Sequence, residues 1–352
     1  MKCIHDFLTH SAKICILIVI ASVSVSCSSS KRASEHSGLP SWVNNPSSEF
    51  SDLRYLMAVG SGDNLADARA DAMLNLAQIF RTRIDGTQNL YTEFAETTKN
   101  KTDFTSRETI RLMNNIRVGT NEELLNTEVL NSEVSKDGQY YVLAGMDRSA
   151  SSRVYQQEIA KNYQKIDQNR ASASQVQRTI RKLVLAKENV LLARVNENLN
   201  QQLAIIRPGT EDNSTALSVL DQTRREFDKI QAEALVRIRI ANSTDLIRDA
   251  VSGVFQSEGF LITNENPVLM AEVTYSSQKT ELNRDDAEFV IWNLSISIID
   301  VENDVSYNTF STEGRDGALS LNDAMKRAEL NAAKEIETIF KQFLNSEVLS
   351  GN

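Results

Sequence analysis

Beyond His36 the 352-residue chain has neither cysteine nor histidine. Its three cysteines (Cys3, Cys15, Cys27) and three histidines (His5, His10, His36) all sit at the start. The body therefore lacks the ligands for zinc sites built on Cys or His, a Cys/His nucleophile pair and a Ser-His-Asp triad. Basic charge is also short: the net charge is −9 and the pI about 5.1, which excludes a general attraction to nucleic acid or anionic membrane. Long apolar runs are missing as well. The richest, ICILIVIA (Ile14 to Ala21), falls short of the roughly 20 residues that a spanning helix needs.

That short run has a different use. Lys2 and Lys13 precede its core, and the small residues SVSVSC follow, so residues 1–26 read as a secretory signal peptide. Ser24 and Ser26 suit cleavage before Cys27, the position where a bacterial lipoprotein signal presents its lipid-accepting cysteine. Cys27 is thus the expected lipid-attachment residue. One acyl chain holds a membrane weakly, whereas the two or three of a lipoprotein hold it durably. Ser28 supplies no aspartate signal for inner-membrane retention, so the expected location is the outer membrane, facing the periplasm. Residues 27–39 are Ser-rich and read as a flexible tether.

The rest divides into three parts. Residues 40–147 read as a first α+β domain: Trp42 between Pro40 and Pro46, a strand YLMAVG, a helix capped by Asp63 or Asn64, and a hairpin turning at Lys136-Asp137-Gly138. TSRETIRLMNNI adds a short helix. From Met146 to Arg207 there is no glycine or proline, and apolar residues recur at helical steps. Residues 148–231 are therefore expected to form a long antiparallel helical hairpin. Polar DQNRASAS (Asp167 to Ser174) marks its break, Ser172 or Ser174 caps the second helix, and RPGTEDNS marks a turn. These polar breaks make the hairpin look separable from both sheets. Residues 232–346 read as a second α+β domain, with Val290, Trp292, Leu294, Ile296 and Ile298 on one face of a strand and a last helix from about Leu319 to Leu344.

VGSGDNLADARADAM invites comparison with a phosphate loop, and the comparison fails. The third glycine of a dinucleotide fingerprint is Leu65, no Gly-Lys-Ser/Thr follows, and Asp63 would repel a phosphate. Gly60 and Gly62 are expected to shape a turn. Ala66, Ala70, Met73, Ala77 and Phe80 are expected to pack on the sheet, with Arg69 snorkelling over its edge and Asp71 exposed. Leu321, Met325, Ala328, Ala332, Ile336, Ile339 and Phe343 suggest a similar stripe at the other end, also after a glycine-bearing strand, so a duplicated unit is one reading. DVENDV (Asp300 to Val305) lacks the Gly and Glu of a calcium loop and reads as a solvated hairpin turn. Asp285-Asp286 reads as a polar loop, and Asp245 and Asp249 are partly balanced by Arg248.

The lipoprotein start, PSWVNNP, YLMAVGSGDNLADARADAMLNLAQI and DGQYYVLAGMDR together resemble the Lpp-twenty family of bacterial outer-membrane lipoproteins, over roughly residues 40 to 165. That fold is similar to the N-terminal domain of the flagellar protein FlgT. The resemblance implies a fold and an anchor, and no catalytic residues. The expectation is a non-enzymatic, lipid-anchored envelope protein: two small sheet-plus-helix domains joined by the hairpin, acting as a periplasmic scaffold or assembly factor. Its partners would be the membrane, through the lipid, and an envelope protein, with no nucleic acid, nucleotide, metal or other cofactor. The alternative is a carrier or sensor for a lipid, glycan or peptidoglycan ligand. Cys27→Ala should move the protein from the membrane to the soluble periplasmic fraction. If the variant still sediments with outer membrane after a high-salt wash, the lipid is not the main anchor.

Overall fold

The structure, a computed structural model, describes residues 38–81, 124–209, 213–241, 244–280 and 287–350. Cys27, the signal, most of the tether, the TSRETIRLMNNI segment and Asp285-Asp286 lie outside the described residues. The fold is α+β: two sheets joined by antiparallel helices.

The first sheet contains β1 (Tyr55–Gly62), β2 (Glu128–Val134) and β3 (Tyr140–Asp147), in the order β1-β3-β2 and antiparallel throughout. The β2–β3 turn places Gly138 at φ +88°, the left-handed conformation that glycine adopts without strain. Helix α1 (Leu65–Arg81) covers one face. Asn64 caps it, its side-chain oxygen accepting the Asp67 N–H at 3.0 Å.

The face that α1 buries is only partly the expected one: Phe80 is buried and Met73 packs against the core as expected, but the alanines differ. Ala68, Ala72, Leu76 and Phe80 are fully buried, while Ala66, Arg69 and Ala70 are exposed. The pattern ADARADA offers an alanine stripe on either of two faces, and composition does not choose between them. The glycines choose. Gly60 and Gly62 lie inside β1 and turn nothing; a Cβ on Gly60 would strike the Ala72 backbone, and one on Gly62 the backbone of Ala68. Helix backbone thus rests directly on strand backbone, which only glycine permits. Asp71, expected to be free, is half-buried and accepts the Ser61 N–H at 2.9 Å; Asn75 donates to the Val59 carbonyl at 2.9 Å.

Three helices follow: α2 (Arg148–Gln175), α3 (Thr179–Ile206) and α4 (Ser214–Gln231). The predicted antiparallel arms are α2 and α3, and α4 packs against them through Ile166, Leu192, Ala193 and Leu220. The break comes at residues 176–178, later than the polar run suggested, because α2 continues through that run, burying Asn169 and leaving most of its other residues exposed.

The second sheet comprises β4 (Leu235–Ala241), β5 (Leu261–Ile262), β6 (Leu269–Lys279), β7 (Glu288–Asp300), β8 (Val305–Ser306) and β9 (Phe310–Ala318). The order is β5-β4-β6-β7, with β8 and β9 both on the outer side of β7. β4 and β6 are parallel and joined through α5 (Asp245–Ser257); the other long pairs are antiparallel. All five residues assigned to the inner face of β7 are buried. Helix α6 (Leu321–Glu335), which continues through π-type turns to Val348, packs beside α5 on that face. Its buried line is Ala324, Ala328, Ala332, Ile336 and Phe340; Ile339, expected inside, is exposed.

Ala72→Leu should cost about 1–3 kcal/mol by overpacking against Gly60, whereas Ala70→Leu should stay within about 0.5 kcal/mol. Urea unfolding of the two variants checks this, and the reverse ranking would put the other alanine face on the sheet.

Candidate functional site

A helix leaves its first N–H groups and last carbonyls without internal partners, so buried ends need outside help. Helix α3 is buried at both ends, in two different cores. Ile180 and Leu183 belong to the second sheet's core with Val236, Val251 and Phe255. Leu199, Leu203 and Ile206 belong to the cluster that holds Phe80 and Met146 of the first. At 1.5 Å per residue, the 28 residues of α3 span about 42 Å.

Each end is met by a charge of the favourable sign. The expected cap residues Ser172 and Ser174 lie inside α2, and Ser174 Oγ donates to its own helix at Arg170. The cap comes from the turn after β7. Glu302 accepts the Thr179 N–H at 2.8 Å and the Thr179 hydroxyl at 3.0 Å. Beside it, Arg178 Nε donates to Asp300 at 2.9 Å, and the Asp300 carboxylate is fully buried. Asn303 completes that carboxylate's partners through its backbone and side-chain N–H groups. DVENDV is therefore a hairpin turn, as read, but a clamp on α3 where a solvated loop was expected. At the far end, Arg148 Nη1 donates to the Ile205 and Ile206 carbonyls at 3.1 and 2.7 Å, while its Nε holds the Asp52 carbonyl.

Between the ends, α3 is tied twice more. Asn162 donates to Asn196 at 2.8 Å, and Asn169 to Asn189 at 2.9 Å, all four side chains buried. The two pairs lie seven residues apart on both helices, a single antiparallel register. Slipping it would leave buried amides unpaired, so the ladder fixes how α2 and α3 align. The heptad spacing of these asparagines was visible in the sequence and was missed beneath the apolar pattern.

The second tie is Glu258, also missed, at the end of α5. It is 3% exposed and accepts from Lys187 of α3 at 2.9 Å and from Asn345 at 3.2 Å; Lys341 stands 3.9 Å away. Burial alone would push the Glu258 carboxyl up. Lys187, Asn345 and Lys341 outweigh burial and hold it below its ordinary value.

Among the described residues, no group of three or more His, Cys, Asp or Glu is placed to hold a metal ion. Asp245 pairs with Arg248 at 2.9 Å in solvent, and Asp249 is exposed beside them. Two cavities formed by the described residues are surface depressions. One of about 320 Å³ lies between α5 and α6, edged by Leu246, Gly253, Glu337 and Lys341. Another of about 340 Å³ lies on the open sheet face, among Thr274, Ser276, Asn293 and Ser295. No helix of the described residues is long and apolar enough to cross a membrane.

Residues 40–147 match the family described as LPP20 lipoprotein. This is the region that carries the resemblance seen in the sequence, and the match supports a lipoprotein of the cell envelope. No curated protein matches the chain in sequence. Among solved structures, the secreted protein HP1454 of Helicobacter pylori is similar, at 16% identity and a TM-score of 0.38, over 82% of this chain and 97% of that one. A minor lipoprotein from Acinetobacter baumannii (12% identity, TM-score 0.25) matches over 32% of this chain and 90% of its own. For the rare lipoprotein B of Shewanella oneidensis the values are 12%, 0.24, 32% and 92%.

Because the folded Glu258 carboxyl titrates below its ordinary 4.5, its stabilisation is complete above that pH and is lost as pH falls through the lowered folded value. Glu258→Gln should therefore lower stability at pH 7 by about 1–3 kcal/mol, the penalty for unpaired buried partners. It should also flatten the acid limb below pH 4.5. An unchanged acid limb in chemical unfolding from pH 7 to pH 3 would remove Glu258 from this role.

Proposed function

We propose that the chain is a non-enzymatic, lipid-anchored scaffold of the outer membrane, holding two folded units at a set spacing in the periplasm. The observation that carries this reading is α3, whose two ends are buried and capped in the cores of different sheets. A helix so held keeps its ends about 42 Å apart. Cys27 is the proposed lipid-attachment site, and the short tether after it keeps the first unit within reach of the membrane surface. The match to a lipoprotein family over residues 40–147 supports that anchor.

A carrier would need an enclosed apolar cleft, and the depressions on both α5 and the open sheet are shallow and bordered by polar groups. The spacing reading also replaces the idea of a separable hairpin: cutting into α3 cuts into both cores.

Cross-linkers placed on α1 and on β6 in intact envelopes should each capture protein neighbours. Adding one heptad to each of α2, α3 and α4 keeps every clamp, yet should abolish joint capture of the two sets while the protein stays folded and membrane-bound. Joint capture that survives the added length would sink the spacer reading. Saturable binding of a lipid or glycan by the purified chain, with no protein captured at all, would put the carrier in its place.

A further inference from the structure

A sheet edge exposes a row of unpaired N–H and C=O groups that can template another strand, and proteins blunt such edges. Among the described residues, three of the four sheet edges are blunted. On β1 the outward Ser61 N–H and Val59 carbonyl are taken by Asp71 and Asn75. On β2 a bulge at Leu130 distorts the ladder, and the outward Ser132 N–H is taken by the Asn131 side chain. β5 is two residues long.

β9 is the exception. It runs nine residues, pairs with β7 on one side, and meets no strand on the other among the described residues. The Thr280 N–H bonds to the Phe289 carbonyl, so Phe289, Ile291 and Asn293 turn their backbone groups toward β6. Their partners Gly317, Arg315 and Glu313 therefore turn theirs to the free edge. The Gly317 carbonyl is taken by Arg327 at 2.9 Å. The groups of Ser311, Glu313 and Arg315 have no protein partner among the described residues. Glu313 and Arg315 are exposed, lie on the open face of the sheet, and form no ion pair among the described residues.

We propose that β9 pairs antiparallel with β9 of a second copy of this chain, the two-fold axis passing through Gly314. Charge selects both the occupant and the register. Centred on Gly314, Glu313 of each copy stands opposite Arg315 of the other, in two symmetric hydrogen-bonded pairs. Centred on residue 313 or 315, like charges would face each other, which destabilises a strand pair. A two-fold contact uses one patch on both copies and so must be self-complementary, as Glu-Gly-Arg is. Beside the edge, α6 presents Leu330, half-exposed and adjacent to Asn331, which reaches β9 through Asp316. The two copies of α6 would then flank the axis on the covered side of the joined sheet.

The test uses the full chain. In membranes, Glu313→Cys combined with Arg315→Cys should give a covalent dimer under mild oxidation, and Asp249→Cys on α5 should not; both variants keep the native cysteines. In detergent solution, Glu313→Arg and Arg315→Glu should each weaken dimerisation about tenfold, and the two together should restore it. Circular dichroism spectra matching the native chain confirm that the variants fold. No covalent dimer from the paired cysteines would overturn the proposal. So would a double reversal as weak as the single ones, or β9 cross-linking only to a different protein.

Discussion

A helix buried at both ends must have its end groups satisfied by other parts of the chain, and α3 meets this with a carboxylate at one end and a guanidinium at the other. Most of the architecture is arranged around those two contacts. Arg148 sits where it does because Asp147 caps α2, accepting the Ala150 N–H at 2.9 Å, and so fixes the first turn from which Arg148 reaches. The Ala150 N–H, and then Arg54, hold the Asp147 carboxyl below its usual range. Glu302 sits where it does because β7 runs thirteen residues and delivers its turn beside residue 179. Neither sheet could move relative to the bundle without stripping one end of α3.

Small residues set the other geometry. In the first sheet, Gly60 and Gly62 let α1 lie on β1 backbone to backbone, and Asp71 and Asn75 reach the strand edge because the helix is that close. The second sheet looks alike in sequence and packs differently. A Cβ on Gly314 would meet the ring of Trp292, so an aromatic side chain fills the gap on the covered face there. Trp292 then donates to Asp316, which Asn331 of α6 also holds. The likeness that suggested a duplicated unit reflects alanine-rich helices over glycine-bearing strands, achieved by two different contacts.

Local patterns therefore carried most of the fold. The alternation in β7, the cap at Asn64, the turn at Gly138 and the antiparallel helical connection all depend on neighbours in the chain, and all were legible. Distant pairings decided the rest. Whether Ala70 or Ala72 faces β1 depends on Gly60, and no helical periodicity encodes that contact. The cap of α3 is invisible to any local reading, because its acceptor is Glu302. In the sequence Glu258 is one acid among many, next to Gly259; only folding brings Lys187 and Lys341 to it. The clamps that motivate the scaffold reading are thus the part of the molecule least legible in sequence, whereas Cys27 rests on sequence alone.

The Glu302 cap also orders events in time. Thr179 and its acceptor are separated by 123 residues, so the contact closes a long loop and must await the chain that contains it. A chain emerging amino-terminus first would present α2 and α3 to each other well before β7 exists. During that interval the asparagine pairs can already set the alignment of the arms, while the leading end of α3 stays uncapped and its Ile180 and Leu183 stay wet. Completion of the second sheet then locks a helix that was aligned but unfinished, and the distance between the two sheets is set only at that last stage.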